Sequence, residues 1–145
     1  MYAFSATIHA RPEVAEPGPK VTLRGLTLPT LHVSAASLAA GFTRSFEEVG
    51  DALGSFERLY FEPDGSFVWV SSTGEPSWQL DGLLADLHGR VTSLDLKGTC
   101  PPSALERVLS VLGVPPATPL FVLTHEAVVL DEATFREYAA AAQRG

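Results

Sequence analysis

Apolar and polar residues alternate at the start of the chain. Tyr2, Phe4 and Ile8 share one phase, and the residues between them are small or polar. Because the side chains of a strand point alternately to its two faces, this period of two predicts a half-buried β-strand over residues 1–9.

The next segment ends that alternation. Residues 11–20 contain Pro12, Pro17 and Pro19, so we expect a surface connection without a regular hydrogen-bond ladder. Apolar residues at positions 21, 23, 26 and 28 then predict a second strand, with a β-bulge at Gly25 because the apolar phase shifts there. Residues 31–33 either extend this strand or belong to a loop.

A spacing of three or four residues replaces the alternation from Ser34 onward. The apolar positions with this spacing are Leu38, Phe42, Phe46, Val49 and Leu53. They form one stripe on a helix, so we expect a single amphipathic helix over residues 34–53 that stops at Gly54. The run Ser45-Phe46-Glu47-Glu48 has the form of a capping box, which makes a break near Thr43 the alternative.

Residues 56–97 predict an antiparallel meander of four strands. The turn sequence Glu62-Pro63-Asp64-Gly65 separates two short apolar runs and predicts a hairpin. The second run, 67–70, is apolar in both phases, so we expect it to be covered on both sides. The pattern of residues 78–87 fits both a strand and a helix, and Gly82 together with the flanking turns favours a strand.

A helix is predicted for residues 103–112. Ser103 and Glu106 have the spacing of a capping box at its start, and Gly113 is a natural stop.

Two apolar runs, 120–124 and 127–130, follow this helix and predict a hairpin, with one bent strand as the alternative. Asp131 can then cap a last helix over residues 132–143.

Together these elements predict an α+β fold. We expect a mainly antiparallel twisted sheet of about six to eight strands, packed on one face by about three helices. The sheet combines N-terminal strands, the meander of residues 56–97 and the C-terminal hairpin. A chain of 145 residues, 46% of them hydrophobic, has material for one core, so we expect a single α+β domain over residues 1–145.

Charge and composition narrow the classes of partner. The chain carries a formal net charge of −7, and its ten lysines and arginines are scattered. Such a field repels phosphate backbones and anionic lipid headgroups, so we expect neither nucleic acid nor a membrane as partner. No apolar run approaches a membrane span, and the N-terminus lacks the segments of a secretory signal. We therefore expect a soluble, cytoplasmic protein of bacterial type.

The sequence contains no pattern of metal or cofactor ligands. Its four histidines, at positions 9, 32, 88 and 125, lack the spacing that places two ligands on one helix face. The glycines form neither a dinucleotide-binding fingerprint nor a phosphate-binding loop. We expect no metal and no cofactor.

The only cysteine lies at a predicted junction between strand and helix, in the run Asp95-Leu96-Lys97-Gly98-Thr99-Cys100-Pro101-Pro102-Ser103. The unpaired N–H groups of a helix N-terminus favour thiolate, so Cys100 is the candidate catalytic residue, as a nucleophile or redox sensor. The alternative is a packed apolar residue, because free cysteine is among the most buried residue types.

Five residues are candidates for binding. Trp69 and Trp78 offer aromatic surface to a planar ligand or to a partner's side chain, unless they fill the core. Asp95 and Lys97 share one strand face, where they offer charges to a ligand or form an ion pair with each other. His125 lies in a predicted turn and adds a group able to transfer protons.

These features predict a non-catalytic domain that binds a small ligand or a protein through an apolar pocket or a sheet edge. The alternative is a small thiol-dependent enzyme or redox sensor that uses Cys100. A third alternative is a homodimer formed by the pairing of exposed strands.

Overall fold

One large antiparallel sheet organises the molecule. The computed structural model describes residues 1–141. Its strands are β1 (Tyr2–Ala10), β2 (Glu16–Pro17), β3 (Val21–Leu23), β4 (Leu26–Leu28), β5 (Leu31–His32), β6 (Leu59–Phe61), β7 (Ser66–Val70), β8 (Gln79–Leu87), β9 (Arg90–Cys100), β10 (Pro119–Leu123) and β11 (Val129–Asp131). Its helices are α1 (Ala35–Leu38), α2 (Phe46–Gly54), α3 (Pro102–Leu112) and α4 (Glu132–Ala141).

Nine of the strands form the main sheet, in the order β2-β5-β11-β10-β1-β9-β8-β7-β6, and β3 pairs with β4 separately. Strand β1 lies at the centre and pairs with β9 from Tyr2 opposite Cys100 to His9 opposite Ser93. The meander β6 to β9 extends the sheet on one side, and the hairpin of β10 and β11 extends it on the other. The α+β class with an antiparallel sheet is confirmed, with nine strands in that sheet and four helices in residues 1–141.

Three helices pack on one face of this sheet. Phe121 of β10 stacks on Phe135 of α4 with ring centroids 3.9 Å apart, and Phe4 of β1 meets the same ring edge-on at 5.0 Å. Leu53 of α2 and Leu105 of α3 are buried in the same apolar cluster. The alternating apolar residues of the strands therefore supply the sheet side of the core, as expected from their period.

The predicted β-bulge at Gly25 is wrong, because β3 and β4 form a two-residue hairpin. Arg24 and Gly25 have φ values of 52° and 76°, the left-handed pair that a tight hairpin turn requires. Arg24 holds this conformation with its guanidinium, which donates to the carbonyls of Ala3 at 2.8 Å and Tyr138 at 2.9 Å. The preceding connection also contains a short strand, since β2 pairs with β5.

The single helix expected over residues 34–53 is also wrong. The chain forms the short α1, leaves the helical path at Gly41, where φ is 74°, and begins α2 after Ser45. The Phe42 N–H donates to the Val91 carbonyl at 2.8 Å instead of continuing a helix. Ser45 and Glu48 form the capping box that the alternative required, with bonds of 3.0 and 3.2 Å.

The predicted strand over residues 78–87 is confirmed as β8, whereas β7 is not covered on both sides. Its Val68 is 36% exposed, because the helices cover only the face that carries Phe67 and Trp69. Strand β9 runs three residues beyond the predicted Lys97, so Cys100 is its last residue and lies two residues before the start of α3.

The last two helices begin differently from one another. Pro101 precedes α3 without a side-chain cap, so the predicted capping box of Ser103 and Glu106 is wrong. In α4 the predicted cap is confirmed, since the Asp131 carboxylate accepts the Thr134 N–H at 2.8 Å. The predicted end of this helix near residue 143 lies outside the described residues.

No helix within residues 1–141 has the length and apolar character needed to cross a membrane.

Candidate binding sites

The face of the sheet opposite α2, α3 and α4 is hereafter the open face. Directly opposed residues of antiparallel strands carry their side chains on one face, and one such row runs across five strands. Its members are Tyr60, Val68, Asp81, Lys97 and Ser5. A parallel row contains Leu83, Asp95 and Thr7.

The members of these two rows on β8, β9 and β1 line a shallow concavity, hereafter the sheet depression, of about 300 Å³. Its polar side chains are Ser5, Thr7, Asp81, Asp95, Lys97 and Thr124. Asp95 accepts the Thr7 hydroxyl at 2.6 Å, and Asp81 accepts the Gln79 amide at 2.9 Å. These bonds fix the two carboxylates but leave lone pairs on each that can accept further donors.

Lys97 is the cation of the sheet depression. It lies opposite Asp81 on β8 and opposite Ser5 on β1. Its ammonium makes neither a hydrogen bond nor an ion pair with any residue in the described part of the chain. The ion pair between Asp95 and Lys97 that the sequence offered as one alternative is therefore not formed, and both groups are free to meet a ligand.

Apolar side chains stand next to these charges. Tyr60 is 61% exposed, Leu83 is 43% exposed, and Val68 lies beside them at 36%. Large exposed apolar residues that lie together on a soluble domain are typical of interaction surfaces. The open face therefore combines an apolar patch with a polar, charged depression.

Trp69 and Trp78 lie on the other side of the sheet, where they are 3% and 7% exposed. Their rings meet edge to face, with centroids 5.1 Å apart and an interplanar angle of 84°. Both border a small cleft of about 120 Å³ at the start of α3, hereafter the tryptophan cleft. The two tryptophans are thus core residues that also line a cleft.

Sequence reasoning missed Arg107, which forms one wall of the tryptophan cleft. Its guanidinium carbon lies 4.1 Å from the centroid of the Phe56 ring and 5.4 Å from that of Trp69, in cation–π geometry. Position 107 falls on the exposed side of a predicted helix, so only the packing of α3 against these rings reveals it. Glu57 and Glu75 line the same cleft.

Cys100 lines neither of these two sites. Its side chain is fully buried, at 0% exposure. Burial raises the pKa of the Cys100 thiol to about 12, although a hydrogen bond with the Leu105 backbone and the charge of the chain's N-terminus oppose the rise. A buried, protonated thiol has the character of a packed apolar residue, and reactive cysteines are instead exposed and of low pKa.

His125 is exposed in the turn between β10 and β11 and lines neither the sheet depression nor the tryptophan cleft. The structure therefore brings Asp95 and Lys97 together on one face and Trp69 and Trp78 together on the other, and leaves His125 apart from both pairs.

Comparisons with protein-family models, with curated proteins and with solved structures find no match to this chain.

Proposed function

We propose that this chain is a non-catalytic, single-domain protein-binding module that docks its partner on the open face. The observation that carries the proposal is the group formed by Tyr60, Val68 and Leu83 on neighbouring strands, which are all at least 36% exposed. Leu83 also lines the sheet depression. Protein interfaces combine an apolar centre that excludes water with a polar rim that sets orientation. The open face has both parts.

The charges of this face and of the chain favour a partner with a positively charged rim. Asp81 lies opposite Lys97 on β8, and Asp95 lies two residues before it on β9. The chain as a whole carries a net charge of −7. A basic partner would be steered toward this surface, and its lysines or arginines could use the free lone pairs of the two carboxylates. Lys97 would donate to one carboxylate or carbonyl oxygen of the partner and so fix the register.

Selection of displayed random peptides on the immobilised chain tests this proposal. We expect the enriched peptides to combine basic with aromatic or aliphatic residues. Leu83→Glu should weaken their binding about tenfold or more, which corresponds to about 1.4 kcal/mol. Leu87→Glu is the matched control, because Leu87 is also exposed on β8, at 54%, but lies outside the sheet depression. This control should change the affinity less than about twofold.

Three outcomes would contradict the proposal: no peptide is enriched, the two leucine variants weaken binding equally, or the enriched peptides bind Leu83→Glu as well as the unchanged chain. Light scattering tests the remaining alternative, which is a homodimer of this chain. A dimer that Leu83→Glu dissociates would replace the foreign partner with a second copy of this chain.

A further inference from the structure

The walls of the tryptophan cleft carry opposite charges. Arg107 contributes the positive charge, and Glu57 and Glu75 contribute the negative charges. No ion pair joins Arg107 to any acidic residue within residues 1–141. Opposite charges that line one cleft without pairing are available to complementary charges of a ligand.

The positive wall suits a carboxylate. Arg107 is held by its contact with the Phe56 ring, and its N–H groups form no hydrogen bond within the described residues. Beside it, α3 starts at Pro102 without a side-chain cap and without an acidic residue in its first turn. Pro101 and Pro102 have no N–H to donate, so Arg107 supplies the donors for an anionic oxygen at this end of the cleft, and α3 adds only the partial positive charge of its N-terminal end.

One of the side chains that line the cleft carries an unpaired donor. Trp78 lines the cleft, and its indole Nε1 is buried with no hydrogen-bond partner in residues 1–141. The indole Nε1 of Trp69, by contrast, donates to the Glu57 carbonyl at 3.2 Å. Buried donors are nearly always paired in folded proteins, so a ligand acceptor that Nε1 meets after a small turn of the indole would relieve an unfavourable feature of the free protein.

Size and net charge then restrict the ligand. A cleft of about 120 Å³ holds only a few non-hydrogen atoms, since a cavity of about 150 Å³ accommodates benzene. A free anion would be repelled by the chain's net charge of −7, whereas a zwitterion has no net charge to repel. We infer that the tryptophan cleft binds a small zwitterion of the α-amino acid class, with its carboxylate at Arg107 and the start of α3, and its ammonium at Glu57 and Glu75.

This inference does not rest on the proposed function, because the cleft and the open face lie on opposite sides of the sheet. Either site can therefore fail its own test while the other stands.

The chain itself supplies the reporter for the test. It has two tryptophans, and both line the cleft, so intrinsic tryptophan emission responds to occupation of this site. We expect glycine and L-alanine to change the emission saturably, with a dissociation constant of about 1 mM, as befits ligands of so few atoms. Acetate and methylammonium each carry one of the two charges and should bind at least about tenfold more weakly.

Two variants test the assigned walls. Arg107→Met keeps the apolar stem on the Phe56 ring and removes the charge, and it should weaken amino acid binding at least about tenfold. Glu57→Gln is nearly isosteric and should weaken it about threefold or more while leaving acetate binding unchanged. Arg11→Met is the control, because it makes the same change of net charge in the connection between β1 and β2, away from the cleft.

The inference is overturned if neither amino acid changes the emission at concentrations up to about 50 mM, far above the expected constant. It is also overturned if acetate binds as tightly as L-alanine, which would indicate a plain anion site, or if Arg11→Met weakens binding as much as Arg107→Met does.

Discussion

The two faces of the central sheet differ although the same strands build both. Along β8, Leu80 and Leu84 point toward the helices and are 0% and 2% exposed, whereas Leu83 between them is 43% exposed. On the helix side the strands bury nearly all of their apolar surface, and on the open face they present charges and partly exposed apolar groups. The difference indicates that one set of alternate residues carries stability and the other is free to carry recognition.

Adjacent leucines of β8 provide the sharpest test of this division. Leu84→Ala removes packed methyl groups from the core and should lower the free energy of unfolding by about 2–5 kcal/mol. Leu83→Ala makes the same chemical change on the open face and should alter it by no more than about 0.5 kcal/mol. Chemical denaturation of the two variants measures both values. Equal losses would show that the open face is packed as tightly as the core, and the distinction between the faces would be lost.

Gly82 tests the same difference between the two faces by the addition of a methyl group to the core side instead of its removal. A Cβ at this position would overlap the ring of Phe67 on the helix side of the sheet. That ring is 3% exposed and stacks on Phe61, so it cannot move without disturbing its neighbours. Gly82→Ala should therefore destabilise the fold by about 1–3 kcal/mol.

Asp81→Ala, one position earlier on the open face, is the control for this change and should be nearly neutral in thermal unfolding. A neutral Gly82→Ala would mean that the core beside β8 has room for another methyl group.

The sequence was sufficient to predict which strand residues face the core, but not to predict several of the connections between elements. Alternation in β1 and the proline-glycine turn before β7 depend on local chemistry, so both could be predicted. The β3–β4 turn could not, because it places Arg24 in a left-handed conformation that only distant acceptors, the carbonyls of Ala3 and Tyr138, support. Likewise, the break after α1 depends on the pairing of Phe42 with Val91, far along the chain.

The candidate sites divide in the same way. Asp95 and Lys97 could be placed on one strand face from their spacing of two. Their neighbour Asp81 and the opposing Ser5 depend on strand register, which a sequence pattern does not specify across such separations. Arg107 was missed because a single exposed cation on a helix has no distinctive pattern, and its role arises from the aromatic rings beneath it.

Cys100 and Thr99 allow the two faces to be compared by chemical reactivity. Cys100 is fully buried, whereas Thr99, the preceding residue of β9, is exposed on the open face. We expect an alkylating reagent to modify native Cys100 at least about a hundredfold more slowly than the thiol of a Thr99→Cys, Cys100→Ala variant, because burial and a raised pKa both suppress thiolate attack. Quantification of the adduct over time by mass spectrometry measures the ratio.

The same thiol has a consequence for stability in alkali. Its pKa in the folded chain is raised from 9.0 to about 12, so the stability that comes from keeping it protonated is complete below pH 9.0 and is lost as the pH rises from 9.0 toward 12. Denaturation midpoints of the unchanged chain should fall more steeply across the lower part of this window than those of Cys100→Ala. Parallel curves, or rapid alkylation of native Cys100, would restore the alternative of a reactive thiol.

The smallest expected effect on stability comes from His9, which lies on the open face near α1. Burial lowers the pKa of His9 from 6.5, and this outweighs a hydrogen bond with the Leu38 backbone and the charge of Asp95, which both act to raise it. A depressed pKa means that the unfolded chain takes up this proton first, so the contribution to stability is present above pH 6.5 and is lost as the pH falls below it. Unfolding free energies should therefore decline more between about pH 7 and about pH 5 in the unchanged chain than in His9→Gln.

His125→Gln removes an exposed histidine from the β10–β11 turn and should keep the steeper decline of the unchanged chain. If His9→Gln declines as steeply, position 9 is as solvated as its neighbours, and the open face extends to the end of β1.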